Sequence, residues 1–249
     1  MKKKIAVITG SRAEFGLLKD LIKQLQDEKE VDLSLLVTGS HLSPTYGETI
    51  NEILNEGLQV YSEIDLNLGS DSVKDISYAL SNGLKGFSND YSELNPDLII
   101  VLGDRFEILS AVIPAFIAKI PIAHIHGGEK TEGSLDDSIR HAITKFSAIH
   151  FVASEEYKNR VIQLGENPQK VFNVGGLGID SISKLNFLTR NEINKKLGIK
   201  FRNKNLLITY HPETVNEKLS LLGIRELLKS LSSIDETTFI FTLGNADAG

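Results

Sequence analysis

The sequence predicts an α/β fold, a parallel β-sheet covered by helices on both faces. Three observations lead there. Short solid apolar runs alternate with stretches of helical apolar spacing along most of the chain. The segments joining successive runs are long enough to hold a helix, which the connection of parallel strands requires. The runs themselves, such as Asp97–Leu102 (DLIIVL), are apolar at nearly every position instead of every second one, as in strands buried on both faces.

Taken in order, Lys4–Thr9 (KIAVIT) reads as the first buried strand, and Phe15 to Leu25 carries its apolar residues at helical spacing. Leu33–Thr38 (LSLLVT) is the second strand, Tyr46 to Leu54 a helical stretch, and Gln59–Ile64 the third strand. A long helix covers roughly Ser72–Leu94, and Asp97–Leu102 is the fourth strand. Helix Arg105–Ala118, strand Pro121–His126, helix Asp136–Ser147 and strand Ile149–Ala153 follow. A second region begins near Gly175–Gly178, where strand Leu206–Tyr210, helix Lys218–Leu231 and strand Thr237–Thr242 repeat the pattern. Gly, Asn and Lys accumulate over 174–204, which reads as a linker, so the expected division is 1–175 and 176–249. Two strands are fewer than open sheets commonly hold, so the second domain is expected to be incomplete.

Composition narrows the function. The 249 residues carry 27 Lys and Arg against 33 Asp and Glu, a formal charge of −6 with no block of like charges. That argues against nucleic acid as the partner. The absence of cysteine removes disulfides, thiolate metal sites and thiol nucleophiles. The apolar run after Met1-Lys2-Lys3-Lys4 is too short for a signal peptide or a membrane span, so a cytoplasmic first strand is expected, without a membrane partner.

In open parallel sheets, ligands bind beyond the carboxyl ends of the strands. Those ends carry Gly10-Ser11-Arg12-Ala13-Glu14, Thr38-Gly39-Ser40-His41, Gly103-Asp104-Arg105-Phe106-Glu107, His124-Ile125-His126-Gly127-Gly128-Glu129, His211-Pro212-Glu213-Thr214 and Gly244-Asn245. Four of the six histidines, His41, His124, His126 and His211, therefore fall where a ligand is expected. The first loop suits a phosphate, since Gly10 allows close approach and a helix N-terminus follows. It lacks both G-x-G-x-x-G and Gly-Lys-Ser/Thr, which disfavours NAD and ATP. Arg12 either grips a phosphate or carboxylate or is a solvated helix-start residue. Asp104 is either a functional acid at the cleft or the N-cap of the helix opening at Arg105.

His124 and His126 share a face if the strand reaches that far, and with Asp104 and Glu129 they would make a metal site. The alternative is one packed histidine and one capping the Gly-Gly turn. Asp136 and Asp137 open a helix, with Arg140 and His141 one turn on. Either the Asp136–Arg140 and Asp137–His141 pairs simply suit the helix dipole, or one acid transfers a proton.

In this order, the motifs GSRAEFG (Gly10–Gly16), VTGSH (Val37–His41), GDRFE (Gly103–Glu107), HIHGGE (His124–Glu129), DDSIRHAITK (Asp136–Lys145) and HPET (His211–Thr214) resemble the hydrolysing UDP-N-acetylglucosamine 2-epimerases of sialic-acid biosynthesis. Their relatives acting on di-N-acetylbacillosamine nucleotides are similar too. The resemblance implies two Rossmann-like domains as in B-type glycosyltransferases, the second truncated in this chain. It implies a reaction that eliminates UDP across C1–C2 and hydrates the 2-acetamidoglucal, with UDP-sugar as partner and no metal or nicotinamide cofactor. Asp104, His126, Glu129, Asp136 and His211 are the implied catalytic set. Arg12, His41, Asp137, Arg140 and Asn245 are the implied substrate contacts. Several relatives carry Glu at the position of His126, so either His126 or Glu129 moves that proton. A homo-oligomer is implied for the full-length form, and inactivity for this chain alone.

Overall fold

In a computed structural model, which describes residues 2–70, 72–183, 185–211 and 217–242, the chain divides into two compact units, Met1–Ser183 and Lys184–Gly249. The first holds a seven-stranded, fully parallel sheet. Its strands are β1 (Lys3–Thr9), β2 (Val31–Thr38), β3 (Val60–Ile64), β4 (Leu98–Leu102), β5 (Ile122–Ile125), β6 (Ile149–Val152) and β7 (Val171–Asn173). Their order across the sheet is β3-β2-β1-β4-β5-β6-β7. The chain winds outward from β1 to one edge and then from β4 to the other, so the direction of winding reverses between β1 and β4. Such a reversal opens a crevice at the carboxyl ends of those two strands.

Successive strand residues face opposite layers, and the core divides accordingly. Ala6, Ile8, Leu36, Ile99 and Val101 pack toward α3 (Val73–Leu94) and α4 (Phe106–Ile117). Val7, Leu35, Val37, Ile100 and Leu102 pack toward α1 (Arg12–Asp27) and α2 (Ile50–Asn55). The solid apolar runs thus serve two cores at once. The two facing helices α3 and α4 come very close at Gly83, where a Cβ would lie 2.2 Å from Ser110 Oγ. α5 (Leu135–Phe146) and α6 (Glu155–Gln163) complete the cover of β5 and β6, and α7 (Leu177–Ser183) packs on α1.

The predicted α/β class is the observed one, with four local corrections. The helical stretch expected over Tyr46–Leu54 is a 3₁₀ turn, Pro44–Tyr46, followed by α2, because Gly47 turns left-handed with φ 86°. β5 ends at Ile125, one residue before His126. α6 and β7 carry no strong periodic signal, β7 being three residues long at the sheet edge. Finally, the expected linker contains α7 and also α8 (Arg190–Leu197), whose Thr189 and Glu192 form a reciprocal capping box.

The second unit, described by itself, pairs β8 (Lys204–Ile208) in parallel with β9 (Thr237–Phe241), with α9 (Glu217–Leu231) between them in sequence. Leu207 is 70% exposed, so this small sheet leaves apolar surface uncovered. Among the described residues, no helix is long and apolar enough to cross a membrane.

Candidate active site

The turns that follow β1, β2, β4 and β5 gather at the carboxyl edge of the first unit. Ser11 caps α1, its Oγ accepting the Glu14 N–H at 3.3 Å. The Gly10 carbonyl accepts the Ser40 N–H at 2.9 Å and the Ser40 hydroxyl at 3.1 Å, which ties the first turn to the second. Gly39 has φ 61°, and a Cβ there would meet the Gly10 carbonyl oxygen at 2.5 Å, so a side chain would force these turns apart.

His41 was expected to touch substrate, and its placement corrects that. The ring is 0% exposed, with Nε2 3.1 Å from Thr9 Oγ1 and Nδ1 2.7 Å from Thr49 Oγ1. Burial pushes its pKa down to about 4, only partly offset by the Ser11 backbone. A neutral ring with both nitrogens engaged supports the turns from within. Arg12 stays at the surface, its Nε 3.1 Å from Glu52 Oε1.

The cap reading of Asp104 fails. α4 begins at Phe106 with Arg105 as its N-cap, and no side chain makes a capping hydrogen bond there. The Asp104 carboxylate instead pairs with Arg140 Nη2. Burial pushes the Asp104 carboxyl up, Arg140 draws it down and Asp136 raises it again, leaving it above the usual carboxylate range.

Arg140 is the hub of the site. Only 5% exposed, it donates from Nη1 to the Glu129 carbonyl at 2.9 Å and from Nη2 to Thr131 Oγ1 at 3.1 Å, besides its pair with Asp104. Its second carboxylate is Asp137, at 3.5 Å, and not the expected Asp136. The helix geometry explains this, because Asp137 lies one residue closer and also accepts the Thr131 N–H at 2.9 Å. His141 Nε2 sits 3.7 Å from Asp137 Oδ2, as the i,i+4 spacing predicts. Among the described residues, the half-buried Asp136 carboxylate makes no hydrogen bond or ion pair, yet its charge reaches Asp104 and Glu107.

The two histidines of HIHGGE part company, which corrects the paired metal-ligand reading. His124 lies in β5, 0% exposed, with Nε2 2.9 Å from the Gly103 carbonyl and Nδ1 3.1 Å from Thr144 Oγ1. Burial drives its pKa down to about 3, opposed by the Gly103 hydrogen bond. Both of its ligating atoms are therefore taken. His126 leaves the strand with φ 64°, a left-handed conformation unfavourable for a side chain. Its Nδ1 lies 3.1 Å from Glu129 Oε1, and its Nε2 is buried without a hydrogen-bond partner among the described residues. Burial raises the Glu129 carboxyl, but His126 and Arg140 outweigh it and hold the pKa below the ordinary value. Among the described residues, no group of three His, Asp or Glu is arranged to hold a metal ion.

His211 follows β8 in the second unit, and Asn245 lies outside the described residues. The first unit thus joins Asp104, Arg140, Glu129 and His126 into one chain of contacts, with Asp137 and Thr131 attached to Arg140. Two buried acids, Glu14 and Glu107, were in the quoted motifs but were not singled out. The available signal was their position, each in the first turn of a helix that follows a strand flanking the winding reversal.

The family model described as UDP-N-acetylglucosamine 2-epimerase matches residues 23–249. The chain is 40% identical to the hydrolysing GDP/UDP-N,N'-diacetylbacillosamine 2-epimerase of Campylobacter jejuni, over 99% of this chain and 64% of that protein. It is 41% identical to polysialic acid biosynthesis protein P7 of Escherichia coli, over 99% and 63%. With UDP-N-acetylglucosamine 2-epimerase of Neisseria meningitidis the identity is 31%, over 99% and 64%. The chain therefore spans less than two thirds of the length of these relatives. In structure it is similar to the Methanocaldococcus jannaschii UDP-GlcNAc 2-epimerase, with TM-score 0.78, 23% identity and coverage of 96% and 65%. It is similar also to a Neisseria meningitidis enzyme bound to UDP-GlcNAc, with TM-score 0.76, 22% identity and coverage of 96% and 72%. These likenesses agree with the B-type glycosyltransferase-like fold that the motifs implied. With the profile match spanning nearly the whole chain, it follows that the chain belongs to the UDP-N-acetylglucosamine 2-epimerase family.

Proposed function

We propose that the protein is a hydrolysing 2-epimerase that converts UDP-N-acetylglucosamine to UDP and N-acetylmannosamine. A base takes the C2 proton, the C2–H electron pair forms the C1=C2 bond, and UDP departs from C1. Water then adds to C1 of the 2-acetamidoglucal while a proton returns to C2 on the opposite face. The observation that carries this reading is the chain of contacts from Asp104 through Arg140 and Glu129 to His126. This supports the reading because it links two groups able to transfer protons, the Asp104 carboxyl and the His126 ring, near the strand ends where such sheets bind ligands.

His126 serves as the base, with Glu129 holding Nδ1 so that Nε2 presents its lone pair. Asp104, its carboxyl raised by burial, suits the acid that returns a proton, and the uncommitted Asp136 carboxylate steadies the positive charge developing at C1. Within the first unit, Arg12 from α1 and Asp137 and Arg140 from α5 serve as the substrate contacts. UDP-N,N'-diacetylbacillosamine is the second substrate reading, favoured by the 40% identical Campylobacter jejuni relative that bears that name.

Incubation of the full-length form with each UDP-sugar in D2O is expected to release UDP and to place one deuterium at C2 of the manno product. Release of UDP from neither sugar would overturn the reading. Glu129→Gln is expected to lower kcat by roughly 10-fold to 100-fold, since the ring loses its orienting charge. His126→Gly separates stability from chemistry. Glycine relieves a left-handed backbone worth roughly 1 kcal/mol, so denaturant unfolding should show stability unchanged or raised. UDP release by the same variant should fall by about 10²-fold or more.

A further inference from the structure

Two acids that the proposed reaction does not use lie under the same turns. Glu14 is 6% exposed and Glu107 is 2% exposed. From the first turn of α1, Glu14 reaches back so that its Oε2 accepts the Gly10 N–H at 2.7 Å. Its other oxygen lies at the β4 turn, where a Cβ placed on Gly103 would be 3.6 Å from Oε1. Asp104 is the next residue. One carboxyl group therefore holds the Gly10 turn by a hydrogen bond and lies beside the β4 turn, the two turns that flank the winding reversal. Glu107 fills the space beside it, 3.1 Å from a Cβ placed on Gly39, and both its oxygens take Arg105 Nε, at 3.2 and 3.3 Å.

We propose that Glu14 is a positioning residue that braces the Gly10 turn against the Gly103–Asp104 turn and thereby sets the place of Asp104. The proposal rests on the reading of Asp104 as catalytic. It follows that Glu14 works as a neutral acid. The charged groups facing it are Glu107 and Arg105 from the start of α4 and Asp104 from the β4 turn. On the β2 side His41, kept uncharged by burial, pairs with Thr9, and Arg12 of its own helix is engaged by Glu52. The Arg105 Nε is committed to Glu107, so an ionised Glu14 would be a second buried carboxylate beside the first. Burial pushes the Glu14 pKa up to about 8, against the Gly10 N–H and with Glu107 adding to the rise.

The sign of the pH effect follows. Below the unfolded carboxyl pKa of 4.5 both states hold the proton; between there and about 8 only the folded state does, so stability falls as pH rises and then levels. Unfolding of the wild type and Glu14→Gln is compared from pH 5 to 9 without substrate. The wild type's unfolding constant should rise relative to the variant's by up to about tenfold per pH unit, flattening above pH 8. A pH-independent ratio overturns the neutral brace. In turnover, Glu14→Ala should lower kcat roughly 10-fold to 100-fold with a smaller change in KM, and Glu14→Gln should recover most of that loss. Equal losses in both variants, or a loss confined to KM, overturn the positioning role. Should Glu14→Ala not fold, Glu14→Asp, too short to span both turns, takes its place in the comparison. A wild type inert toward every UDP-sugar would remove the functional reading, while the unfolding comparison would still judge the brace.

Discussion

Asp104→Asn is expected to lower kcat by about 10²- to 10⁴-fold while the protein still folds. Asparagine keeps the size of the side chain and an oxygen for Arg140 Nη2, but it neither gives nor takes a proton. The loss of one charge from a site where Arg140 is 5% exposed costs roughly 1–3 kcal/mol, because Asp137, at 3.5 Å, remains as a counter-charge. Steady-state UDP release and a thermal melt check both parts. Since Asp104 makes no capping bond at α4, a helix-cap role has no geometry to rest on, and full activity of the variant would refute the catalytic assignment.

Arg140→Ala should have the larger effect on stability. It strips the partner from Asp104 and Asp137 together and leaves the Glu129 carbonyl and Thr131 hydroxyl without their donor. Removing one member of a buried ion pair costs about 3–5 kcal/mol, which for a chain of this length lowers the melting temperature by roughly 10 °C. Arg140→Lys is expected to rescue little, because a single ammonium cannot reach the acceptors that two guanidinium nitrogens divide between them. Turnover should fall with stability in both variants. A lysine variant that melts and turns over like the wild type would mean that the fork does not organise the site.

Most strands were legible because burial on both faces imposes solid apolar runs such as KIAVIT and DLIIVL, which need no partner to be recognised. What escaped was short or edge structure. β7 has three residues, so periodicity has no length over which to show itself. α8 carried its own signal, Thr189 with Glu192 three residues on, but it stood among Gly, Asn and Lys residues that read as linker. For the candidate site, Asp104, His126 and Glu129 stand after strand ends, and the structure joins them to Arg140 of α5. The direction in which each side chain points was not legible. His41 and His124 stand at strand ends as a ligand-binding residue would, yet both rings turn into the interior.

By itself, then, the sequence determined the α/β class, the loops that follow the strands and the family resemblance, since hydrophobic period and ordered motifs are local properties. Tertiary structure alone decided which groups pair. Arg140 selects Asp104, 36 residues away in the chain, over the nearby Asp136, and Glu14 lies beside the β4 turn across the reversal of the sheet. His126 is freed from His124 by a single left-handed residue. Long-range pairing, burial and backbone handedness are set by which turns the sheet order brings side by side, and no spacing along the chain encodes them.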